Sequence, residues 1–506
     1  MALIDFNDKD HFNRLNLDEY SATIIGCGAV GIFIAKKLAR NGIKSLTIES
    51  GTLGENEFKQ GLNESILNRS DLEGSVHWGR KRAVGGTTIA WGGQALPFTE
   101  IDFQIREWLS NDESNWNLSL ADLTPNYREA EAYLGVSNLD YFLNGLKKIG
   151  LIDPLKSDKF NYHLSKWANQ PNMFKKYKKQ IEAKGNIDVL YNAHCIGVKN
   201  EDIKCVSIEI TDENKNTACI PINKLYLANG GLESVRFLLL HYPKCSGDLG
   251  IGFMEHPCLK CGEIISTKKD NLQKAFGVKL YRFKRYSLRL SLSNKFMIDS
   301  KLANASLSIM FDSLQDEFDP YREAKRLSKA KFLFEGIRNI PSLVKTIYFL
   351  LRYKTIFRSN PEISIVVMSE QLWSKENTLS LDDNSVDYFN QPKLKVHWKI
   401  DSTTINSVKI AYEKLKLEIM SAFPEISNIQ DCINFNSISE LDFSPVNHHM
   451  GGASIGKVVN KNLQINGITN LFVCSSAVFP TSSHSNPTLT TLALVSKMLD
   501  ENFEFK

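Results

Sequence analysis

The stretch VNHHMGGASIG, residues 446–456, sets two histidines side by side ahead of a glycine pair. A neutral imidazole can take a proton from a hydroxyl near physiological pH, so His448 and His449 are candidate general bases. Neighbouring side chains rarely point the same way, which leaves at most one of them for a reaction centre. A histidine beside glycines serves equally as a turn or packing residue, and this stretch alone does not choose. The elements that would position a base have to decide.

Those elements begin near the N-terminus. Residues 22–25, ATII, form a short apolar run that predicts a buried strand. Gly26, Gly28 and Gly31 follow as GxGxxG, with Ala29 and Val30 inside the motif. Apolar residues then recur at helical spacing to Leu38, and Asn41-Gly42 ends the helix. Residues 45–48 predict the next strand, closed by Glu49. At a dinucleotide each has a task. Gly26 permits the tight turn, Gly28 lets backbone approach a pyrophosphate, Gly31 lets helix and strand pack, and Glu49 can accept from a ribose diol. Glu49 tells against a bound 2′-phosphate more than it separates NAD from FAD. A glycine turn also forms without a ligand, but the strand, helix and acid together favour the nucleotide.

Three further segments extend this picture. RAVGGTTIAWGGQALPF, residues 82–98, holds two glycine pairs around Thr87, Thr88 and Trp91, as backbone approaching a large flat ligand requires. Residues 222–240 predict a strand at 225–227, a glycine turn, and a helix from about Ser234. Residues 466–499 predict a strand at 471–473, a polar turn-rich loop at 475–486, and an apolar helix at 488–498. A flavin, held along its length, uses all of these; a one-unit nicotinamide enzyme leaves three unexplained.

Taken in order and spacing, the four segments resemble the glucose–methanol–choline (GMC) oxidoreductase family, nearest in character to its sugar-oxidising, pyranose oxidase-like members. The stretch MSEQLWSKENTLSLDDNSVDYFNQPKLKVHW also resembles the pair of strands that precede the family's active-site histidine. The resemblance implies an α/β fold: a Rossmann-like FAD-binding domain from residues 1–100, 186–263 and 443–506, with a discontinuous, sheet-based substrate domain from 101–185 and 264–442. It implies oxidation of an alcohol. Gly26, Gly28, Ala29, Val30, Gly31 and Glu49 would hold the ADP half of FAD. Gly85, Gly86, Thr87, Thr88, Trp91 and Gly92 would line the pyrophosphate and flavin. Cys195 falls at a backbone contact to adenine, and Ala228 and Gly230 match a second signature. Ser475, Ser476, Pro487 and Thr488 complete the expected cofactor contacts. Ala90 stands where some members carry a flavin-linking histidine, so the FAD is expected to be noncovalent.

The resemblance also chooses between the histidines. The family's base precedes a glycine by three positions, which puts His448 in the active slot and leaves His449 for packing. Its second catalytic side chain, just before the C-terminal helix, falls on Asn486, with His484 read as a polar loop residue. Two departures stand out: Ser454 where arginine is common, and Ser475 where aspartate is common.

Bulk properties bound the rest. The net charge is +4, from 61 basic and 57 acidic residues, too balanced to indicate a nucleic-acid partner. No secretory signal or membrane-spanning run is read. Nine scattered cysteines suit a reducing compartment, so a cytoplasmic location is expected, and one CxxC at Cys258 and Cys261 reads as two strand thiols rather than a metal site. Residues 279–293 alternate as one strand with a wet face. The basic, apolar segment 331–359 is read as two helices separated by Pro341 that pack on the substrate domain, with a weak membrane-surface contact or an anionic-substrate contact as the alternative. The expected partner is a small alcohol or sugar donor; oxygen, a quinone or a protein could take the electrons. Competing readings are a lyase of the same fold that keeps FAD, oxidation of a non-sugar alcohol, and a scaffold without catalysis.

Overall fold

The computed structural model describes residues 2–109, 115–151, 153–183, 185–312 and 339–503. Short aliphatic runs build a six-stranded, all-parallel sheet in the order Leu3–Asp5, Ile187–Tyr191, Ser45–Ile48, Ala22–Ile25, Leu225–Leu227, Leu471–Val473. Its strands Ser45–Ile48, Ala22–Ile25, Leu225–Leu227 and Leu471–Val473 are buried at every position, as a parallel sheet covered on both faces requires. Segments hundreds of residues apart in sequence therefore meet edge to edge. The three helices Ala29–Arg40, Gly231–His241 and Pro487–Asn502 each follow one of these strands, beyond its C-terminal end. The chain is mixed α/β with a Rossmann-like parallel sheet at its centre.

A second, antiparallel sheet runs in the order Ile426–Asp431, Cys258–Ser266, Glu362–Ser369, Ala305–Asp312, Lys284–Leu292, Phe160–Trp167, Gln94–Ala95. One of its faces is apolar: Leu164, Leu288, Leu290, Leu307, Val367 and Leu259 are buried and follow one another across the register. The helix Ser402–Ala422 packs on this sheet through Val408, Ala411, Leu415 and Ile419. The opposite face is polar and carries His163, Ser165, Arg289 and Ser306. A separate small sheet joins the hairpin Thr378–Val386 and Pro392–His397 to Ser65–Leu67.

Several expectations are corrected. The single strand expected over 279–293 is a hairpin, Lys279–Tyr281 and Lys284–Leu292, because Arg282 and Phe283 both adopt positive φ at a two-residue turn. The helix expected from Ser234 starts at Gly231, right after the turn at Gly230. Pro341 stands in the first turn of the helix Ile340–Tyr353, where a missing N–H costs nothing. Residues 331–338 of that segment lie outside the described residues. The loop 475–486 is polar yet almost wholly buried, because its hydroxyls are used inside the protein: Trp116 donates to Thr481, Ser482 donates to the Gln371 carbonyl, and Ser485 to that of Pro97.

Candidate active site

A cavity of about 750 Å³ opens between the two sheets, within the range of cofactor sites. Gly26, Gly28, Ala29, Val30, Glu49, Gly86, Thr87, Thr88, Trp91, Gly92, Cys195, Ala228, Gly230, Ser475, Ser476, Pro487 and Thr488 line it, together with His448 and Asn486. Gly31 and Gly85 do not. A Cβ on Gly31 would stand 1.9 Å from the Gly26 carbonyl oxygen, so Gly31 serves helix–strand packing. Gly85 has φ +104° and turns the chain behind the wall.

The cavity's nucleotide end follows from backbone geometry. Gly26 holds φ +102°, and a Cβ there would strike the Ala228 carbonyl at 2.6 Å. No side chain caps the helix N-terminus at Gly28, which leaves its first turn open toward the cavity, as an anion requires. The second glycine loop abuts the first: a Cβ on Gly86 would lie 2.8 Å from the Gly28 Cα. Glu49 accepts from the N–H groups of Cys27 and Gly51, both at 2.8 Å, and burial pushes its carboxyl pKa up. Thr88 turns its hydroxyl away, donating to the Gly85 carbonyl at 2.5 Å. Buried Ser475 Oγ and His194 Nε2 line the cavity without a protein partner. These features fit a dinucleotide.

Sequence reasoning missed the charges beside it. Arg80 and Arg82 hold the two carboxylate oxygens of Glu233 at 2.7 and 2.8 Å, and Arg236 pairs with Asp387 at 2.7 Å. Burial opposes ionisation of Glu233, but Arg82, Arg80 and Arg236 hold its pKa well below the carboxylate range. Arg82 also acts on Glu49, so three arginines stand against three acids, Glu49, Glu233 and Asp387. The run GRKR, residues 79–82, was the legible signal.

At the other end the two histidines diverge. His448 Nε2 lies 3.1 Å from Asn486 Nδ2, and His448 Nδ1 lies 2.8 Å from His256 Nδ1. His449 turns the opposite way, to Ser75 Oγ at 2.9 Å, and is nearly buried. Glu255 ties the group together by accepting from the backbone N–H of both His448 and His256, at 2.8 Å each, and from Ser75. His256 and Glu255 were also missed; they precede the CxxC that drew attention only for its thiols. His484, expected as a polar loop residue, is buried and stacked on His163 with ring centroids 5.3 Å apart.

Hydrogen-bond roles fix the tautomers. His256 Nε2 faces the Ser482 carbonyl at 3.1 Å, which can only accept, so this nitrogen carries the proton. Neutral His256 then accepts at Nδ1, so the proton between the rings belongs to His448 Nδ1. Burial, then the nearby His256 and His449, lowers the His448 pKa well below that of a free imidazole. His256 itself is lowered to about 4, first by burial. His448 therefore presents an unprotonated Nε2 beside the Asn486 amide, whose Oδ1 has no protein partner. The helix Pro487–Asn502 begins here, and Asn486 stands at its N-cap without capping it, which frees the amide.

Comparisons with known proteins place this arrangement. Residues 374–494 match the family described as GMC oxidoreductase, in its C-terminal region. A 132-residue stretch is 31% identical to 6'''-hydroxyparomomycin C oxidase of Streptomyces lividus; it covers 24% of this chain and spans 24% of that curated relative. Along its length the fold is similar to the crystal structure of pyridoxine 4-oxidase from Mesorbium loti, with TM-score 0.58 and 12% identity, covering 96% of this chain and 99% of that one. The C-terminal stretch that carries His448 and Asn486 is thus a GMC oxidoreductase match, set in a chain that has the fold of a solved oxidase over nearly its whole length.

Proposed function

We propose that this chain is an FAD-dependent oxidoreductase that oxidises a CH–OH group, with a sugar or sugar derivative as donor. One observation carries the reading: a tautomer-fixed imidazole, with its free nitrogen beside an amide, at one end of a cavity whose other end is built for a dinucleotide. The family match over residues 374–494 and a relative named as an oxidase support it.

FAD, bound noncovalently, supplies the hydride acceptor that no side chain can provide. The chain's residues do the rest. Gly26, Gly28 and the open helix N-terminus would receive the pyrophosphate, with the guanidinium groups of Arg80, Arg82 and Arg236 nearby. His448 Nε2 takes the hydroxyl proton, which makes hydride departure from the carbinol carbon easier. Asn486 holds the same oxygen, and His256 keeps the proton on the far side of the ring, so His448 cannot rotate its basic nitrogen away. Ala90 lines the cavity with no group able to bond the flavin covalently.

The test is anaerobic flavin absorbance while a panel of sugars and simple alcohols is added. One donor class should bleach the wild-type protein. His448→Ala should keep its FAD and reduce it 10²- to 10⁴-fold more slowly, the usual worth of a positioned base. Normal reduction in that variant would refute the assignment.

A further inference from the structure

The polar face of the antiparallel sheet holds an arginine whose charge nothing in the described structure answers. Arg289 lies mid-strand in Lys284–Leu292 and makes two polar contacts, to Gln94 Oε1 at 3.1 Å and Ser306 Oγ at 3.4 Å. Its Nε is buried and without a partner, and no carboxylate among the described residues pairs with it. The other arginines buried about the cavity behave differently: Arg80, Arg82 and Arg236 each have an acid within 2.8 Å. A partly buried guanidinium left without a counter-charge is costly unless something else supplies one.

Its neighbours are unsatisfied too. His163, directly opposite Arg289 in the strand register, has neither ring nitrogen bonded. His484, stacked on His163, has neither bonded, and the amide nitrogen of Gln94 is also buried without a partner. The cluster stands near the reaction centre: Gln94 lines the cavity with His448, Arg289, His163 and His484 are not among its lining residues, and the Arg289 charge acts on both His448 and His256. The cluster carries one fixed positive charge, the Gln94 amide N–H groups and one ring N–H from each neutral histidine, with Asp102 acting on His484 but not paired with Arg289. The unpaired fixed charge of Arg289 is the feature that favours an anionic group on the donor.

We propose that Arg289, with Gln94 and His163, forms an anion-binding subsite beside His448, so that the alcohol oxidised there carries a carboxylate or a phosphate ester. The proposal rests on the alcohol-oxidation reading, since it names the donor class of that same site. A guanidinium suits either anion because its planar fork donates to two oxygens at once.

The test uses the FAD-loaded protein and titration calorimetry with two probes, sodium phosphate and sodium acetate, at constant ionic strength. FAD content is recorded first: a chain that takes up no FAD overturns the flavin reading before any anion is added. Saturable binding of phosphate but not acetate points to a phosphate ester, and the converse to a carboxylate. Arg289→Gln should keep FAD and weaken whichever anion binds about tenfold or more, the usual worth of a charge-assisted pair. Arg289→Lys, which keeps the charge but not the fork, should weaken it less, and it carries the comparison if the glutamine variant loses its fold. Absence of saturable binding of both probes to wild type, or unchanged affinity in the variants, overturns the subsite.

Discussion

A general base for alcohol oxidation must stay unprotonated and keep its orientation, and for His448 both properties draw on residues outside its own loop. Burial is the largest cause of the low His448 pKa, and the neighbouring His256 and His449 add to it. A base with a depressed pKa is fully competent above the ordinary imidazole value and loses activity only as pH falls through its lowered value. The pH profile of kcat/KM should therefore be flat from neutrality well into the acid range. Replacing His256 removes one depressing neighbour and the acceptor that holds the Nδ1 proton. His256→Ala should then lower kcat about 10- to 100-fold, as expected for loss of an orienting partner, and move the acid limb upward. His256→Asn places an amide oxygen near the position of Nδ1 and should recover most of the rate. A stopped-flow pH series on the three proteins checks this; an acid limb that stays put in His256→Ala would show that His256 serves packing only.

The elements deliver these side chains because glycines let backbones approach where side chains could not. At Gly31 an added Cβ would meet the Gly26 carbonyl in the turn beneath it. Gly31→Ala should force the helix Ala29–Arg40 away from its strand, cost about 1–3 kcal/mol as overpacking does, and lower FAD affinity with it. Gly54→Ala, where nothing lies within 4 Å of the new methyl, should leave both unchanged. Thermal melts with and without added FAD separate the two, and equal melts would contradict the packing role. The same contrast explains what was legible in the sequence. Turn glycines, β-branched strands and the Asn41-Gly42 stop are local rules, and the strands at 22–25, 45–48, 225–227 and 471–473 follow from them. The choice of His448 over His449 rested on the spacing to Gly451, and the structure turns the two rings in opposite directions. What stayed hidden depends on pairing across long separations. His256 meets His448 from 192 residues away, and Arg289 meets Gln94 from 195, so no window of sequence shows either. The burial of the 475–486 loop was hidden for the opposite reason: its composition reads as solvent-facing until the buried partners of its hydroxyls are known.

On the scale of the molecule, the strand that carries Arg289 also leads outward to an exposed edge. Its hairpin turn presents Phe283, 91% exposed, between Arg282 and Lys284. Lys354, at the end of the helix Ile340–Tyr353, lies over the Tyr281 ring at 4.9 Å, so helix end and hairpin stand together. That helix was expected to pack on the substrate domain, yet only Thr346 and Phe349 are buried. Ile340, Val344, Ile347, Tyr348 and Leu351 share one face at helical spacing and are at least half exposed. Apolar side chains rimmed by Arg282, Lys284, Arg352 and Lys354 match the interfacial zone of an anionic bilayer better than they match water. No helix among the described residues is long and apolar enough to cross a membrane, so the contact we propose lies on the surface. The FAD-loaded protein should cosediment with vesicles containing phosphatidylserine at low salt, less at high salt, and hardly at all with neutral vesicles, since each basic residue near such a surface contributes about 1 kcal/mol. Ile347→Asp with Leu351→Asp should abolish that binding while leaving flavin reduction by a soluble donor unchanged, because neither residue lines the cavity. Wild-type protein that stays in solution at low salt would exclude the bilayer, and a concentration-dependent dimer lost in the same double variant would assign the face to a second copy of the chain instead.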